Sequence, residues 1–175
     1  MIEQPHFEIR LTRNDDCEHL PEVERSAAAR FASIPELAWI ATADVHSVED
    51  HQRFVTQKNS WVAIHDDQPI GFISGVQMQD AFHICEFSVR EEWQSQGVGK
   101  ALMQALEADM ADKNVTNITL TTFRKVEWNG PMYEHLGFVE IPDTELSLFL
   151  LDVLGEETEA GFLPDQRCAM RKTLT

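Results

Sequence analysis

Along the chain, apolar residues switch between a period of two and a period near 3.6, and each switch marks an element. Phe7–Leu11 alternates and predicts a short strand. Asn14 and the acidic pair Asp15-Asp16 then open a helical stretch, with Leu20, Val23, Ala27 and Phe31 at helix spacing. Pro21 fits only the first turns of that helix. Ser47-Val48-Glu49-Asp50 has the form of a capping arrangement, and Val48, His51/Gln52 and Val55 follow on one side. Two N-terminal helices are therefore expected, joined through Ala32–His46, where Pro35 interrupts any continuous helix.

Ser60–His65 and Ile70–Gln77 read as strands with a turn at Asp66-Asp67-Gln68-Pro69, which predicts an antiparallel hairpin. A second turn at Met78–Asp80 leads into a third strand, Phe82–Val89. Gly71 and Gly75 inside the hairpin suit bulges or tight packing points. From Glu91 the rhythm turns helical: Val98, Leu102, Ala105, Leu106 and Met110 predict an amphipathic helix from about Gly97 to Asp112. Thr116–Phe123 is rich in β-branched residues and reads as a strand. Asn129 can cap a short helix through Leu136, with Pro131 in its first turn and Gly137 as its stop. Phe138–Ile141 and Cys168–Lys172 are the last strands. Between them Leu146, Phe149/Leu150 and Val153/Leu154 predict a helix, and Gly155–Asp165 an acidic loop. No repeat, low-complexity tract or linker breaks this order, so a single domain over residues 1–175 is expected.

Composition narrows the function classes further. The 175 residues, 43% hydrophobic and 25% charged, suit one globular core. With 14 Lys+Arg against 30 Asp+Glu, the formal net charge is −16. That field repels nucleic acid and anionic lipid, so neither is an expected partner. It would attract a cationic amine, or simply keep the protein soluble. No run of about 18 apolar residues is present to span a membrane, and MIEQPHFEIR lacks the basic-then-apolar pattern of a secretory leader. Cys17, Cys85 and Cys168 make neither a disulfide framework nor a CxxC knuckle, so a cytoplasmic, reducing setting is expected. The histidines show no metal-ligand spacing; His46 and His51 lack the Glu of H-E-x-x-H, and no metal is expected.

One segment carries more specific chemistry. Val89-Arg90-Glu91-Glu92-Trp93-Gln94-Ser95-Gln96-Gly97-Val98-Gly99-Lys100 links a strand to a helix through a glycine-containing turn. A helix N-terminus offers unpaired N–H groups and a positive dipole end, hence an anion site. Gly97 and Gly99 let the backbone approach a phosphate, and Lys100 adds charge nearby. The dinucleotide fingerprint G-x-G-x-x-G fails here for want of the third glycine. The nucleoside-triphosphate P-loop fails because G-x-x-x-x-G-K-[ST] is not supplied.

Gln94-x-x-Gly97-x-Gly99 resembles the Q/R-x-x-G-x-G/A signature of the GNAT superfamily of N-acetyltransferases. Trp128-Asn129-Gly130-Pro131-Met132-Tyr133-Glu134-His135-Leu136-Gly137-Phe138 is similar to the family's Asn…Tyr-x-x-x-Gly-Phe element, in a Trp-Asn-x-Pro form found in a bacterial subgroup of small enzymes. The two lie in the expected order, with one helix and one strand between them, and the likeness extends loosely over Phe7–Ile141. It implies an α/β (α+β) fold, with a mixed, mostly antiparallel twisted sheet splayed at the centre and flanked by helices. Acetyl-CoA is the implied acyl donor. Its pantetheine would pair with the main chain of Phe87, Ser88 and Val89 as an added strand would. Its pyrophosphate would lie on the N–H groups of Gln96, Gly97, Val98, Gly99 and Lys100. Asn129 would either bond the cofactor arm or serve as a plain helix cap.

Acyl transfer to an amine needs a neutral amine, a polarised carbonyl and a protonated leaving thiolate. An alkyl amine of pKa about 10.4 is nearly all ammonium at pH 7, and freeing its lone pair costs roughly 4.6 kcal/mol. Glu86 is the candidate base: by strand alternation it shares a face with Ile84 and Ser88, opposite His83, Cys85 and Phe87. A carboxylate on a central strand needs a purpose, either this one or a structural ion pair. Tyr133, the single tyrosine, falls on the family position that protonates the departing sulfur; the alternative is packing before Leu-Gly-Phe. The sequence makes no paired base for Cys85 evident, and buried cysteine is common as a small hydrophobe, which favours direct attack in a ternary complex over an acyl-enzyme.

The acceptor side is expected from the N-terminal helices and the segment after Phe138. Trp39, Trp61, Arg124 and Trp128 are candidate lining residues, with core packing the default for each tryptophan, and Arg124 could bind an acceptor carboxylate. Glu156, Glu157 and Glu159 could attract a polyamine or aminoglycoside, or simply form a solvated loop. Residues 142–165 read as a lid or a homodimer contact. A small-molecule amine is the expected acceptor, with a protein N-terminus or lysine second. A different class of function is a non-catalytic acyl-CoA sensor.

Overall fold

The computed structural model describes residues 5–175; residues 1–4, the start of the stretch read for a leader, lie outside the described residues. The chain divides into two compact units, Met1–Val76 with Cys85–Asp109, and Gln77–Ile84 with Met110–Thr175.

In the first unit, β1 (Glu8–Leu11) pairs antiparallel with β2 (Ser60–His65), placing Leu11 opposite Trp61. A two-residue turn joins β2 to β3 (Gln68–Gln77); Asp66 and Asp67 take φ of 48° and 61°, the left-handed pair that matches strand twist. The expected hairpin forms, and its register shifts between Ala63 and Ile64, opposite Gly71. Gly71 is also a packing point: a Cβ there would stand 3.1 Å from the Ser88 carbonyl oxygen and 3.2 Å from Val98.

Helix α1 (Leu20–Ala28) carries Pro21 in its first turn, as expected, while Asn14–Asp16 forms a separate 3-10 turn. Two 3-10 segments, Ala29–Ser33 and Pro35–Thr42, lead toward α2 (Val48–Thr56). Ser47 caps α2: its hydroxyl accepts from the Asp50 N–H at 3.1 Å, and the Asp50 carboxylate accepts from the Ser47 N–H at 3.0 Å. Leu20, Val23, Val62 and Phe72 close the core of this unit. Strand β4 (Ala81–Val89) leads through the glycine-containing turn into α3 (Val98–Asp112), which buries Val98, Leu102, Met103 and Leu106. Trp61 is buried and its indole N–H donates to Asp109 at 2.5 Å, a core role in place of the acceptor-lining one.

The second unit holds the first residues of β4, whose Ala81–His83 pair in parallel with Asn117–Thr119 of β5 (Asn117–Phe123). β5 pairs antiparallel with β7 (Arg167–Thr173) over its whole length, and β6 (Val139–Glu140) lies on the other edge of β7. The strand order is β1-β2-β3-β4-β5-β7-β6, a mixed and mostly antiparallel sheet of seven strands. The flanking helices here are α4 (Gly130–His135) and α5 (Leu148–Glu159).

α5 extends through Glu159, so the acidic loop expected from Gly155 begins later than the sequence implied. The reason is long-range. Glu157 binds Arg167 of β7 at 2.8 Å, and Arg167 lies over the Phe123 and Phe162 rings. Glu157 therefore has a structural partner and is not a solvated bait for a polyamine. Leu150 joins Ile141 and Ala169 in the core of this unit. Among the described residues, no helix is long and apolar enough to cross a membrane.

Candidate active site

The cofactor loop leaves β4 at Val89 and is braced before α3 begins. The Gln94 side-chain amide donates to the Val89 carbonyl at 2.9 Å, and that of Gln96 donates to the Glu92 carbonyl at 2.6 Å. Both glutamines thus hold the turn with their side chains. Gly97 has φ of 87° and open space where a Cβ would stand, so only its conformation demands glycine. At Gly99 a Cβ would approach the Phe87 ring to 3.3 Å. The first-turn N–H groups of α3, at Val98, Gly99 and Lys100, have no carbonyl four residues back inside the helix, and they carry its positive dipole end. Glu91 is tied at its N–H to the Ser26 hydroxyl of α1, 2.9 Å away.

Glu86 lies on the β4 face expected from alternation, and the Ser88 hydroxyl donates to its Oε1 at 2.7 Å. It does not stand alone. His46 Nδ1 is 3.9 Å from Glu86 Oε2 and 3.1 Å from Glu24 Oε1. The His46 backbone N–H also donates to Glu24 Oε2 at 3.2 Å. Behind them, buried His51 places Nε2 3.0 Å from Glu24 Oε1, its ring edge-on to Phe72. Burial, then the Glu24 charge, pushes the Glu86 carboxyl above its usual range, against the Ser88 hydrogen bond and the His46 charge. The hydrogen bond to Glu24 outweighs burial at His46 and lifts its pKa to about 9. Burial works to raise Glu24, yet its hydrogen bonds with His46 and the His51 ring nitrogen 3.0 Å away hold it low.

Glu24, His46 and Glu86 bring one side-chain nitrogen or oxygen atom each within 4.8 Å of one another. Sequence spacing alone had shown no such set. As an imidazolium, His46 itself supplies positive charge between the two carboxylates. Glu24 and the two histidines were missed as partners of Glu86. One signal was available: Glu24 falls on the same helix face as Leu20, Val23 and Ala27, where a carboxylate has no business unless paired.

In the second unit, Asn129 precedes α4 without capping it through its side chain; instead its Oδ1 accepts from the Thr122 hydroxyl at 2.7 Å. The expected cap is thus replaced by a tie to β5. Gly130 is obligatory, since a Cβ there would lie 2.5 Å from the Arg124 carbonyl oxygen. Tyr133 is half-buried, with its ring edge-on to Phe138 at 5.6 Å between centroids. Trp128 is half-buried in the turn before α4, and Trp39, in the first unit, is exposed. Arg124 is engaged: its guanidinium bonds Glu140 at 2.9 Å and the Asp165 carbonyl at 2.6 Å. It lines a cavity of about 530 Å³ with Glu140, Leu146, Leu154 and Arg167. His83 is buried against Phe149 with Nδ1 2.9 Å from the Thr119 hydroxyl. Burial lowers its pKa to about 4 and keeps it neutral, a core histidine. Cys85 is an exposed residue, yet desolvation of its thiol by the surrounding chain and then the Glu86 charge push it up to about 11, which suits no nucleophile.

The sheet order and the strand–loop–helix arrangement define an α/β fold with a mixed sheet. The sequence profile described as the acetyltransferase (GNAT) family matches residues 27–138, more than half of the chain, and the chain belongs to that family. It is an acetyltransferase with acetyl-CoA as the acyl donor. Among solved structures, the PaiA N-acetyltransferase from Thermoplasma acidophilum, in complex with coenzyme A, is similar at a TM-score of 0.72 and 18% identity, over 96% of this chain and 99% of that one. The ribosomal-protein-S18-alanine N-acetyltransferase from Escherichia coli is similar at 0.68 and 15%, over 97% and 95%. N-acetylglutamate synthase from Neisseria gonorrhoeae, complexed with coenzyme A and N-acetyl-glutamate, is similar at 0.70 and 13%, over 97% of this chain and 35% of that one. At such identities the likeness is one of fold.

Proposed function

We propose that this acetyltransferase acts on a primary amine of a small molecule, by direct attack within a ternary complex and without a metal. The observation that carries the proposal is a half-buried carboxylate, Glu86, placed on the strand that runs directly into a glycine-lined helix N-terminus. The N–H groups of Gln96, Gly97, Val98, Gly99 and Lys100 bind the pyrophosphate, and Lys100 adds its charge. The main chain of Phe87, Ser88 and Val89 pairs with the pantetheine amides, and Asn129 bonds the cofactor arm. Acetyl-CoA, when bound, supplies the activated acyl group.

Glu86 withdraws the proton that makes the acceptor an ammonium, directly or through a water. Its pKa, raised by burial and Glu24, brings it closer to that of the amine it must serve. Tyr133 returns a proton to the departing sulfur; a phenol of pKa about 10 can do so once the thiolate, of ordinary pKa about 8.5, is desolvated. Trp39 and Trp128 contribute apolar surface to acceptor binding. Arg124 would have to exchange Glu140 for an acceptor carboxylate.

Calorimetry with acetyl-CoA, and with ATP and NAD as controls, tests the cofactor assignment; free-thiol release with pooled amines and with lysine-bearing or free-N-terminal peptides tests the acceptor. CoA-selective binding with amine-dependent thiol release is expected. Release with peptides alone would transfer the acceptor to proteins. Binding without turnover across the panel would make the chain a sensor, and no CoA binding would overturn the reading of the loop.

A further inference from the structure

Glu86 shares its surroundings with groups that catalysis alone does not require. Glu24 of α1 is 6% exposed and His51 of α2 is 1% exposed; Glu24 bonds His46, which precedes α2, and His51 lies against Glu24 on its other side. His46 Nδ1 stands between two carboxylates, 3.1 Å from the nearer oxygen of Glu24 and 3.9 Å from that of Glu86. The charged or titratable groups facing His46 are Glu24, Asp50, His51 and Glu86; those facing Glu86 are Glu24 and His46, with Ser88 as its hydroxyl donor and Cys85 its chain neighbour on the other face of the strand.

We infer that His46, held by Glu24, is a positioning residue that sets the ionisation of Glu86 for amine deprotonation. The inference rests on Glu86 being the base. A base must be ionised before its ammonium substrate arrives, and burial beside a second carboxylate works against that. The imidazolium of His46 restores the balance from 3.9 Å, close enough for a charge to move a carboxyl pKa by about one unit or more. Glu24 has a double effect: it keeps His46 charged, and its own charge raises Glu86. A purely structural Glu24 would serve as well as an amide.

The two partners therefore oppose each other, and that opposition is the test. The Glu86 carboxyl would be titrated by carbon-13 NMR in the wild type, H46N and E24Q, with the resonance assigned by its loss in E86Q. The acid limb of kcat/KM would be followed in parallel. H46N is expected to move the Glu86 titration up by about one pH unit, and E24Q to move it down, because one removes the neighbouring positive charge and the other the neighbouring negative one. The acid limbs should move with the same signs. No shift, or shifts of the same sign in both variants with unchanged far-UV dichroism, would overturn the inference. Should E24Q fail to fold, H46N alone decides by the presence or absence of the upward shift. Full activity in E86Q would instead remove Glu86 as the base, and the carboxyl titration would still report whether His46 and Glu24 control it.

Discussion

The cofactor loop and the carboxylate–imidazole cluster are two polar centres within one unit, built by opposite means. The loop is made from one contiguous segment: β4 delivers it, Gln94 ties it to Val89, and Gly97 turns it into α3. The groups it offers to an anion are backbone N–H groups, which every residue but proline carries. The cluster takes Glu24 from α1, His46 from the chain before α2, His51 from α2 and Glu86 from β4, and apart from the His46 backbone N–H bonded to Glu24 it is made of side chains. An anion site made of backbone needs only the right turn. A tuned carboxylate needs particular partners at particular distances, and the fold has to bring them from afar.

That contrast predicts where each kind of substitution acts. Glu86→Gln removes the base while leaving the loop intact. The expected loss in kcat is about 10²–10⁴-fold, with acetyl-CoA affinity unchanged by calorimetry. Tyr133→Phe should reduce kcat by about 10²-fold at most unchanged cofactor affinity; undiminished turnover would remove the acid role.

Gly97→Val attacks the other centre. With φ of 87° and open space around the missing Cβ, its penalty is conformational, about 1–2 kcal/mol. Acetyl-CoA affinity should fall about tenfold, while the pH dependence of the remaining activity stays put. A changed acid limb in this variant would blur the distinction between the centres.

The smallest effect is on stability. His46 has a folded pKa of about 9 against an ordinary 6.5, so its contribution is complete below pH 6.5 and is lost as pH rises toward 9. Glu24 is held below its ordinary 4.5, so its contribution is present above that value and lost as pH falls through the folded one. The melting temperature of the wild type should therefore exceed that of H46N most between about pH 4.5 and 6.5. The difference expected is on the order of 1 kcal/mol, or about 2–4 °C, because His46 is one-third exposed. A difference that grew toward pH 9 would contradict this assignment of the charges.

Much of the architecture was legible from local patterns. The Asp66-Asp67 hairpin, the Ser47 cap of α2 and the helix after Gly97 follow from turn chemistry and spacing that act within a few residues. α5 ran past Gly155 because Glu157 found Arg167 on a distant strand, a contact that no local pattern encodes. Asn129 looked like a helix cap because its neighbours have cap spacing, but Thr122 of β5 holds its side chain instead.

The sequence by itself determined the family, the strand–loop–helix cradle and the face of β4 on which Glu86 stands. Each depends on residues near one another in the chain, where φ preference and alternation leave few choices. Only the tertiary structure decided what surrounds Glu86 and how its proton is held. Coulombic and desolvation effects depend on distances of a few ångströms, and Glu24, His46 and Glu86 acquire those distances only when separate elements fold together.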